Sequence, residues 1–433
     1  MRVTQMVRCR ALTACTTVAL MLIWGSGPEA GQGAPVSPEA GQGAAVSAER
    51  RRDAIARIWR DAESAPVPLL PGEVAWSLTL PNVPSAPGAM DDERVYIPLR
   101  QDLLVALRRE TGTVAWVRTI DIATPIVVAG RKLFAVSRGR IRALDAATGV
   151  DLWSVPVEET VSAPLVWDSG WLIASTDAGD VLAFRAADGA LIWRRALGAP
   201  SVHPAVPGGE NALYLALSDG RVVALGLERG ELRWEQGLPG TISQPATGRD
   251  RVFVGSTDNF FYALDADSGS LRWKWRNGGD VIGAAVDGDV VYLASLDNVI
   301  RAVNRGNGNQ RWLQSTATRP VLPPRAFSGV VVLTGLMPAV TVLVGETGVV
   351  MGTHAPGNLI GPPLIDSAPR AFAVAIVTVT TEGAVQALRP VGVMFREAAT
   401  VPLAMLPGRA LSRERVVPPS VDARGPLEGP AGP

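Results

Sequence analysis

Between residues 72 and 390 short apolar runs alternate with clusters of Gly, Asp, Asn, Ser and Thr, and no long helical period separates them. The unit at 252–275 shows the pattern. Residues 252–256 read as a strand, Thr257, Asp258 and Asn259 as a turn, and 260–264 as a second strand. Residues 265–269 read as another turn and 271–275 as a third strand, with strand-length runs and turn residues at each break. A further extended piece precedes each unit, often led by proline: Pro125, Pro164, Pro204 and Pro245, with Ala284 in the corresponding place. The pattern predicts four short antiparallel strands per unit, the composition of a propeller blade. The lack of intervening helices argues against a parallel α/β fold.

The units recur in register. Trp76, Trp116, Trp153, Trp193, Trp234, Trp273 and Trp312 stand 40, 37, 40, 41, 39 and 39 residues apart. Gly352 falls 40 residues after the last, where the indole is lost. A glycine stands four residues before each tryptophan: Gly72, Gly112, Gly149, Gly189, Gly230, Gly269 and Gly308, with Gly348 in the same place before Gly352. A regular period of this size over most of a chain marks a repeat architecture. Gly269 and its equivalents are expected to supply positive φ at a tight hairpin, which glycine adopts without a Cβ clash.

An Ala-Leu signature, read as an inner strand, occurs eight times, at Ala106, Ala143, Ala183, Ala224, Ala263, Ala302, Val342 and Ala387. After Leu388 no turn-plus-tryptophan hairpin follows, so the last unit lacks its outer strand. The strand around Trp76 in turn lacks inner partners of its own. Pairing the two completes the count and removes the exposed edges of an open array. The expected fold is therefore all-β: an eight-bladed β-propeller of four-stranded antiparallel blades over 72–390, closed by an N-terminal outer strand. The lost indole predicts looser packing at the blade ending in Gly352.

Residues 1–27 read as a signal peptide or N-terminal anchor. Arg2, Arg8 and Arg10 accompany an uncharged apolar run over 11–25, which is shorter than the roughly 20 residues of a spanning helix. Cys15 ends a lipoprotein-like Leu12-Thr13-Ala14-Cys15, but that box precedes most of the apolar run, so lipidation and cleavage stay open. Residues 28–47 duplicate PEAGQGAPVS as PEAGQGAAVS and read as a flexible linker. Residues 48–63 read as a short helix with Ile55, Ile58 and Trp59 on one face. Residues 391–433, rich in Pro, Arg and Ala, are expected to be largely disordered.

Composition narrows the chemistry. Hydrophobic residues make up 47% and charged residues 19%, enough for a large core. The net charge of zero leaves no global field to gather nucleic acid. Cys9 and Cys15 are the two cysteines, so the body offers no disulfide, thiolate nucleophile or Cys-held metal. Two histidines, His203 and His354, are too few for a His-rich metal site. No Gly-x-Ser-x-Gly nucleophile elbow occurs. Asp145, Asp177, Asp258, Asp265 and Asp297 invite a calcium assignment, but they recur at turn positions and are read as turn residues. No catalytic, cofactor or metal residue is assigned. The candidate site residues are the tryptophans from Trp76 to Trp312 and the glycines from Gly112 to Gly308, as a structural docking motif.

Residues 143–153, ALDAATGVDLW, and 263–273, ALDADSGSLRW, carry the pattern Ala-x-Asp-x-x-Thr-Gly-x-x-x-Trp, with Ser268 for Thr in the second. This resembles the tryptophan-docking motif of the PQQ-like propeller repeats, over about 72–390. The resemblance implies that Asp and Thr tie down a turn, Gly makes it, and the indole packs between neighbouring blades. One branch, similar to the BamB family of outer-membrane assembly factors, implies a non-enzymatic periplasmic or envelope scaffold. Its partners would be envelope proteins such as the β-barrel assembly machinery, without nucleic acid, with membrane association through the N-terminus and no cofactor. The other branch implies a PQQ-dependent quinoprotein dehydrogenase, or a quinone- or ligand-binding sensor. Such a cofactor carries three carboxylates and calls for Ca²⁺ with oxygen ligands. Many members set an adjacent cysteine pair against it, which this body lacks. A polysaccharide-binding propeller is a third reading. Chain size, eight units and the export signal favour the first.

Overall fold

The structure, a computed structural model, describes residues 69–391 apart from 123, 210, 337–338 and 368–372. All of these lie in the compact unit Ser64–Pro433. The expectations for 1–27, 28–47, 48–63 and the tail beyond 391 fall outside the described residues.

The described chain forms eight four-stranded antiparallel sheets, an eight-bladed propeller. Blades 1 to 7 are consecutive meanders over 89–119, 127–156, 166–196, 206–237, 246–276, 281–315 and 325–354. Blade 8 takes Leu364–Ile365, Ile376–Val379 and Ala384–Pro390 from one end of the chain and its outer strand, Gly72–Thr79, from the other. Gly72 lies opposite Pro390 and Thr79 opposite Ala384. The N-terminal outer strand therefore closes the ring.

Burial explains the hydrophobic pattern. Second strands are mostly apolar runs, as in Ala212–Ala216, where all five residues are buried. Each blade is covered by a neighbour on both faces, so alternation would leave polar groups in the core. Outer strands alternate instead: in Leu191–Ala196 only Trp193 is buried. The Ala-Leu signature belongs to the third strand, a correction to its reading as an inner strand; the innermost strands are the short proline-led pieces. Its alanine has a steric cause. Ala106, Ala143, Ala183, Ala224, Ala263, Ala302 and Ala387 lie directly opposite the seven tryptophans. Direct cross-strand partners share a face, so a small residue leaves room for the indole. At the remaining blade Gly352 replaces the tryptophan, and its partner is the larger Val342.

Every outer strand carries a β-bulge one residue before its tryptophan position; Gly352 is no exception. A bulge twists an edge away from regular pairing. The propeller has two unlike ends. The connections that lead into each inner strand, and the turns between second and third strands, make one end, here the loop face. The other two hairpins of each blade make the turn face, which holds the Gly-x-x-x-Trp turns.

Besides the strand ladder and the apolar core shared by blades 8 and 1, three contacts mark the closure. Trp76 of blade 8 docks on blade 1, with its Nε1 donating to the Arg109 carbonyl at 2.7 Å. Arg109, 4% exposed, reaches back to blade 8, where its guanidinium donates to the Val374 carbonyl and pairs with Asp366 at 2.5 Å. The third contact is the segment just before the outer strand. Leu69 and Leu70 are buried with Val330, Val332, Val340, Val342, Ile376 and Leu388 at the junction of blades 7 and 8. A Cβ built on Gly352 would lie 2.8 Å from the Leu70 Cβ. Leu70 thus fills the space at position 352, and the junction is packed rather than loose. The indole is absent for a topological reason. It would dock on a third-to-outer hairpin of blade 8, and no such hairpin exists where those strands come from opposite chain ends.

Leu69→Ala is expected to cost about 2–5 kcal/mol, the usual range for emptying a fully buried leucine site, read by urea denaturation. Deleting 72–80 should lower and broaden the thermal transition. A deletion that melts like the parent would show the N-terminal strand to be dispensable for closure.

Candidate functional site

The repeated glycine and tryptophan residues meet across blade boundaries. In each of seven third-to-outer turns the glycine N–H bonds the carbonyl four residues back, as Gly149 to Asp145 and Gly269 to Asp265. Gly112, Gly149, Gly189, Gly230, Gly269, Gly308 and Gly348 all have φ between +68° and +78°. Against each lies the indole of the preceding blade: Trp76 on Gly112, Trp116 on Gly149, Trp153 on Gly189, Trp193 on Gly230, Trp234 on Gly269, Trp273 on Gly308 and Trp312 on Gly348. A Cβ on any of these glycines would come within 2.5–2.9 Å of the ring. Each indole N–H then donates to the carbonyl three residues before that glycine, at 2.7–3.2 Å. Gly72 differs, since it starts an outer strand without positive φ. Inside their own blades Trp116, Trp234 and Trp312 tilt against Tyr96, Tyr214 and Tyr292 at 5.8–5.9 Å between ring centroids.

Of the recurrent aspartates, Asp145 and Asp265 serve these turns, and Asp177, Asp258 and Asp297 lie in second-to-third turns. One Asp145 carboxylate oxygen accepts from the backbone N–H groups of Ala147 and Thr148 and from the Thr148 hydroxyl. Asp265 repeats this with Asp267 and Ser268 and adds a two-pronged pair with Arg272. The Arg272 guanidinium foremost, with the Ser268 hydroxyl, holds the Asp265 carboxyl down to about 2. Asp258 caps the Phe260 N–H and accepts from Tyr262, while Asp297 pairs with Arg301 at 2.7 Å. Asp177 lies in the second-to-third turn of blade 3, where its backbone N–H bonds the Thr160 carbonyl.

Other sequence candidates are held apart. His203 leads into blade 4 and His354 ends the outer strand of blade 7; burial lowers the pKa of each. Trp273 and Trp275 both join the core between blades 5 and 6, and Arg301 stacks over Trp275 at 5.5 Å. Clefts of about 490 Å³ and 530 Å³ open on the turn face between blades 1 and 2 and between blades 5 and 6. The second is lined by Arg305, whose charge is met by Asp250 and Asp289. Among the described residues no three His, Cys, Asp or Glu side chains come together as metal ligands. Sequence reasoning passed over Arg109, Leu69–Leu70 and Arg325. The exchange of Ala for Val342 at the repeat that lacks tryptophan is the signal that could have found the second.

Gly130 and Gly269 both have positive φ, but a Cβ on Gly130 meets nothing within 4 Å, whereas on Gly269 it meets the Trp234 ring at 2.5 Å. Gly130→Ala should therefore cost about 1 kcal/mol for backbone strain alone. Gly269→Ala should cost roughly 1–3 kcal/mol more through overpacking, measured in parallel by chemical denaturation. The depressed Asp265 carboxyl stabilises the fold above the unfolded carboxyl value near 4, and this contribution is lost as the pH falls toward 2. Asp265→Asn should flatten the decline of melting temperature in that window.

Comparison with known proteins agrees with this geometry. The family model described as outer membrane protein assembly factor BamB matches residues 56–202, 137–237 and 218–361, together well over half of the chain. A protein of that name from Moranella endobia is 27% identical over 173 residues, 35% of this chain and 44% of the relative. One from Yersinia pestis is 27% identical over 185 residues, 38% of this chain and 46% of the relative. The chain thus matches less than half the length of either. Among solved structures, BamB from Moraxella catarrhalis superposes with a TM-score of 0.58 at 16% identity, over 73% of this chain and 99% of that one. The quinohemoprotein alcohol dehydrogenase ADHIIG from Pseudomonas putida HK5 gives 0.57 at 13% identity, over 74% of this chain and 76% of that one. At such identities both likenesses speak for the fold alone. The family model, matched through the repeats whose indoles and glycine turns join the blades, decides the assignment: the chain belongs to the family of outer membrane protein assembly factor BamB.

Proposed function

We propose that the chain is a non-enzymatic scaffold of the cell envelope that assists the assembly of outer-membrane β-barrel proteins by binding components of their assembly machinery. The observation that carries this reading is the family match over 56–361. The organisation of the ring supports it. The repeated tryptophans are spent on joining blades, and the Asp145 and Asp265 carboxylates on tying down turns. That leaves the two faces as the surfaces a partner can read, the usual use of a propeller rim. The basic, apolar N-terminal segment supports export to the periplasm, with the propeller held in or near the membrane by residues 1–27. A quinoprotein reading draws only on likeness of fold.

Crosslinking in the native envelope followed by affinity purification of the tagged full chain should recover a β-barrel assembly component. Deleting 1–27 should abolish recovery by removing export. If the wild-type chain recovers no such component, the assembly role fails and the propeller fold stands. Tight binding of PQQ with Ca²⁺ to the purified protein would instead move the chain to the quinoprotein branch.

A further inference from the structure

The seams between blades repeat one meeting of positions. The residue two places after an outer-strand tryptophan meets the residue one place before the third-strand alanine of the next blade. Leu78 shares a core with Val105, Val155 shares one with Leu182, and Trp275 lies under Arg301. At the seam of blades 1 and 2 both places carry arginine, Arg118 on the outer strand and Arg142 on the third strand. The apolar pairs show that the fold needs no charge there.

The two guanidiniums share one carboxylate. Asp151 pairs with Arg118 and, at 3.6 Å, with Arg142. Arg118 also donates from Nη1 to the Gly149 carbonyl at 2.6 Å. The Nε of each arginine is buried and has no hydrogen-bond partner among the described residues. Two positive charges against one negative leave one unanswered, and a buried N–H without an acceptor is costly.

A cavity of about 130 Å³ brings these groups together at the loop-face side of the seam. Arg118 and Arg142 line it with Ser137, which is 3% exposed. Asp102, Asp121 and Arg138 line it at the loop-face end. Both of these carboxylates are taken by Arg138, at 2.7 Å and 3.5 Å, and among the described residues neither forms an ion pair with Arg118 or Arg142. Asp151 lies outside the lining. The cavity therefore meets an excess of positive charge at Arg118 and Arg142, together with N–H donors that lack acceptors.

We propose that this cavity binds a carboxylate, received by Arg118 and Arg142 beside Ser137. A guanidinium is a planar fork that matches a carboxylate. The volume is below the roughly 300 Å³ at which pockets for whole small ligands begin, so it suits an acidic group rather than a cofactor. An Asp or Glu side chain of a bound protein and a free small acid share this chemistry. The site goes beyond the assembly role and does not depend on it.

The test titrates the purified full chain by calorimetry at constant ionic strength with acetate, with N-acetylglutamate amide, whose one carboxylate is the side chain, and with its glutamine counterpart. Both acids should bind, and the glutamine form at least about tenfold more weakly, as loss of a charge-assisted pair implies. Arg142→Gln should weaken binding of the glutamate form by a similar factor. The double variant Arg118→Val, Arg142→Leu, which copies the Val155–Leu182 seam, should fold and bind neither acid. Crosslinking of the Arg142→Gln chain in the native envelope separates the sources: lost recovery of the assembly component assigns the carboxylate to a bound protein, and unchanged recovery assigns it to a free acid. No saturable binding of either acid, equal binding of the glutamate and glutamine forms, or an unaltered Arg142→Gln variant would overturn the site. So would a double variant that fails to fold, because the arginines would then be holding the seam.

Discussion

The ring depends on an indole lying flat on a glycine turn of the next blade. Each half of that contact requires the other. The turn needs a residue with positive φ, and the ring needs a surface without a Cβ, so glycine meets both demands with one atom missing. The indole N–H then reaches a carbonyl that the turn leaves free, so a large apolar group is buried without stranding its polar atom. The alanine opposite each tryptophan belongs to the same contact. Repetition of this joint seven times makes neighbour-to-neighbour packing the main source of stability, as in other repeat proteins.

Much of this was legible in the sequence because the joint is local in its chemistry. Gly149 and Trp153 advertise their turn within five residues, and the Asp145–Thr148 pair ties it down within four. Blade number and the identity of the closing strand followed from counting such units. What could not be read was anything set by one blade meeting another without repetition. Leu69 and Leu70 precede the first recognisable unit and look like linker, yet they fill the junction where the eighth indole is missing. Arg109 sits at a turn position filled by alanine in several repeats, and only closure of the ring brings Asp366 and Val374 to it. The Ala-Leu signature was assigned to the wrong strand for a related reason. Inner and third strands are both apolar, and which is innermost is a matter of connection rather than composition.

Symmetry makes departures informative. Where seven blades agree and one differs, the fold has already shown which residues it accepts. Gly352 with Val342 is a departure explained within the fold, since the neighbouring hairpin does not exist and Leu70 takes up the space. Arg325, on the inner strand of blade 7 where the other blades carry Ala, Val or Leu, is a second departure, and its Nη1 donates to the Pro363 carbonyl. The first is therefore an accommodation within the fold. The bulged outer strands make the perimeter a poor template for strand addition.

The mixed origin of blade 8 also has a kinetic side. The strand Gly72–Thr79 is made first among the blade strands, and its partner Ala384–Pro390 last. Until that partner arrives, Trp76 can dock on blade 1 but its own strand has an open edge. Closing so long a loop carries an entropic cost that grows only slowly with length, but it cannot be met before the chain is complete. The ring therefore has a built-in completion check: a chain cut short at any earlier blade leaves the first strand unpaired and open to other strands.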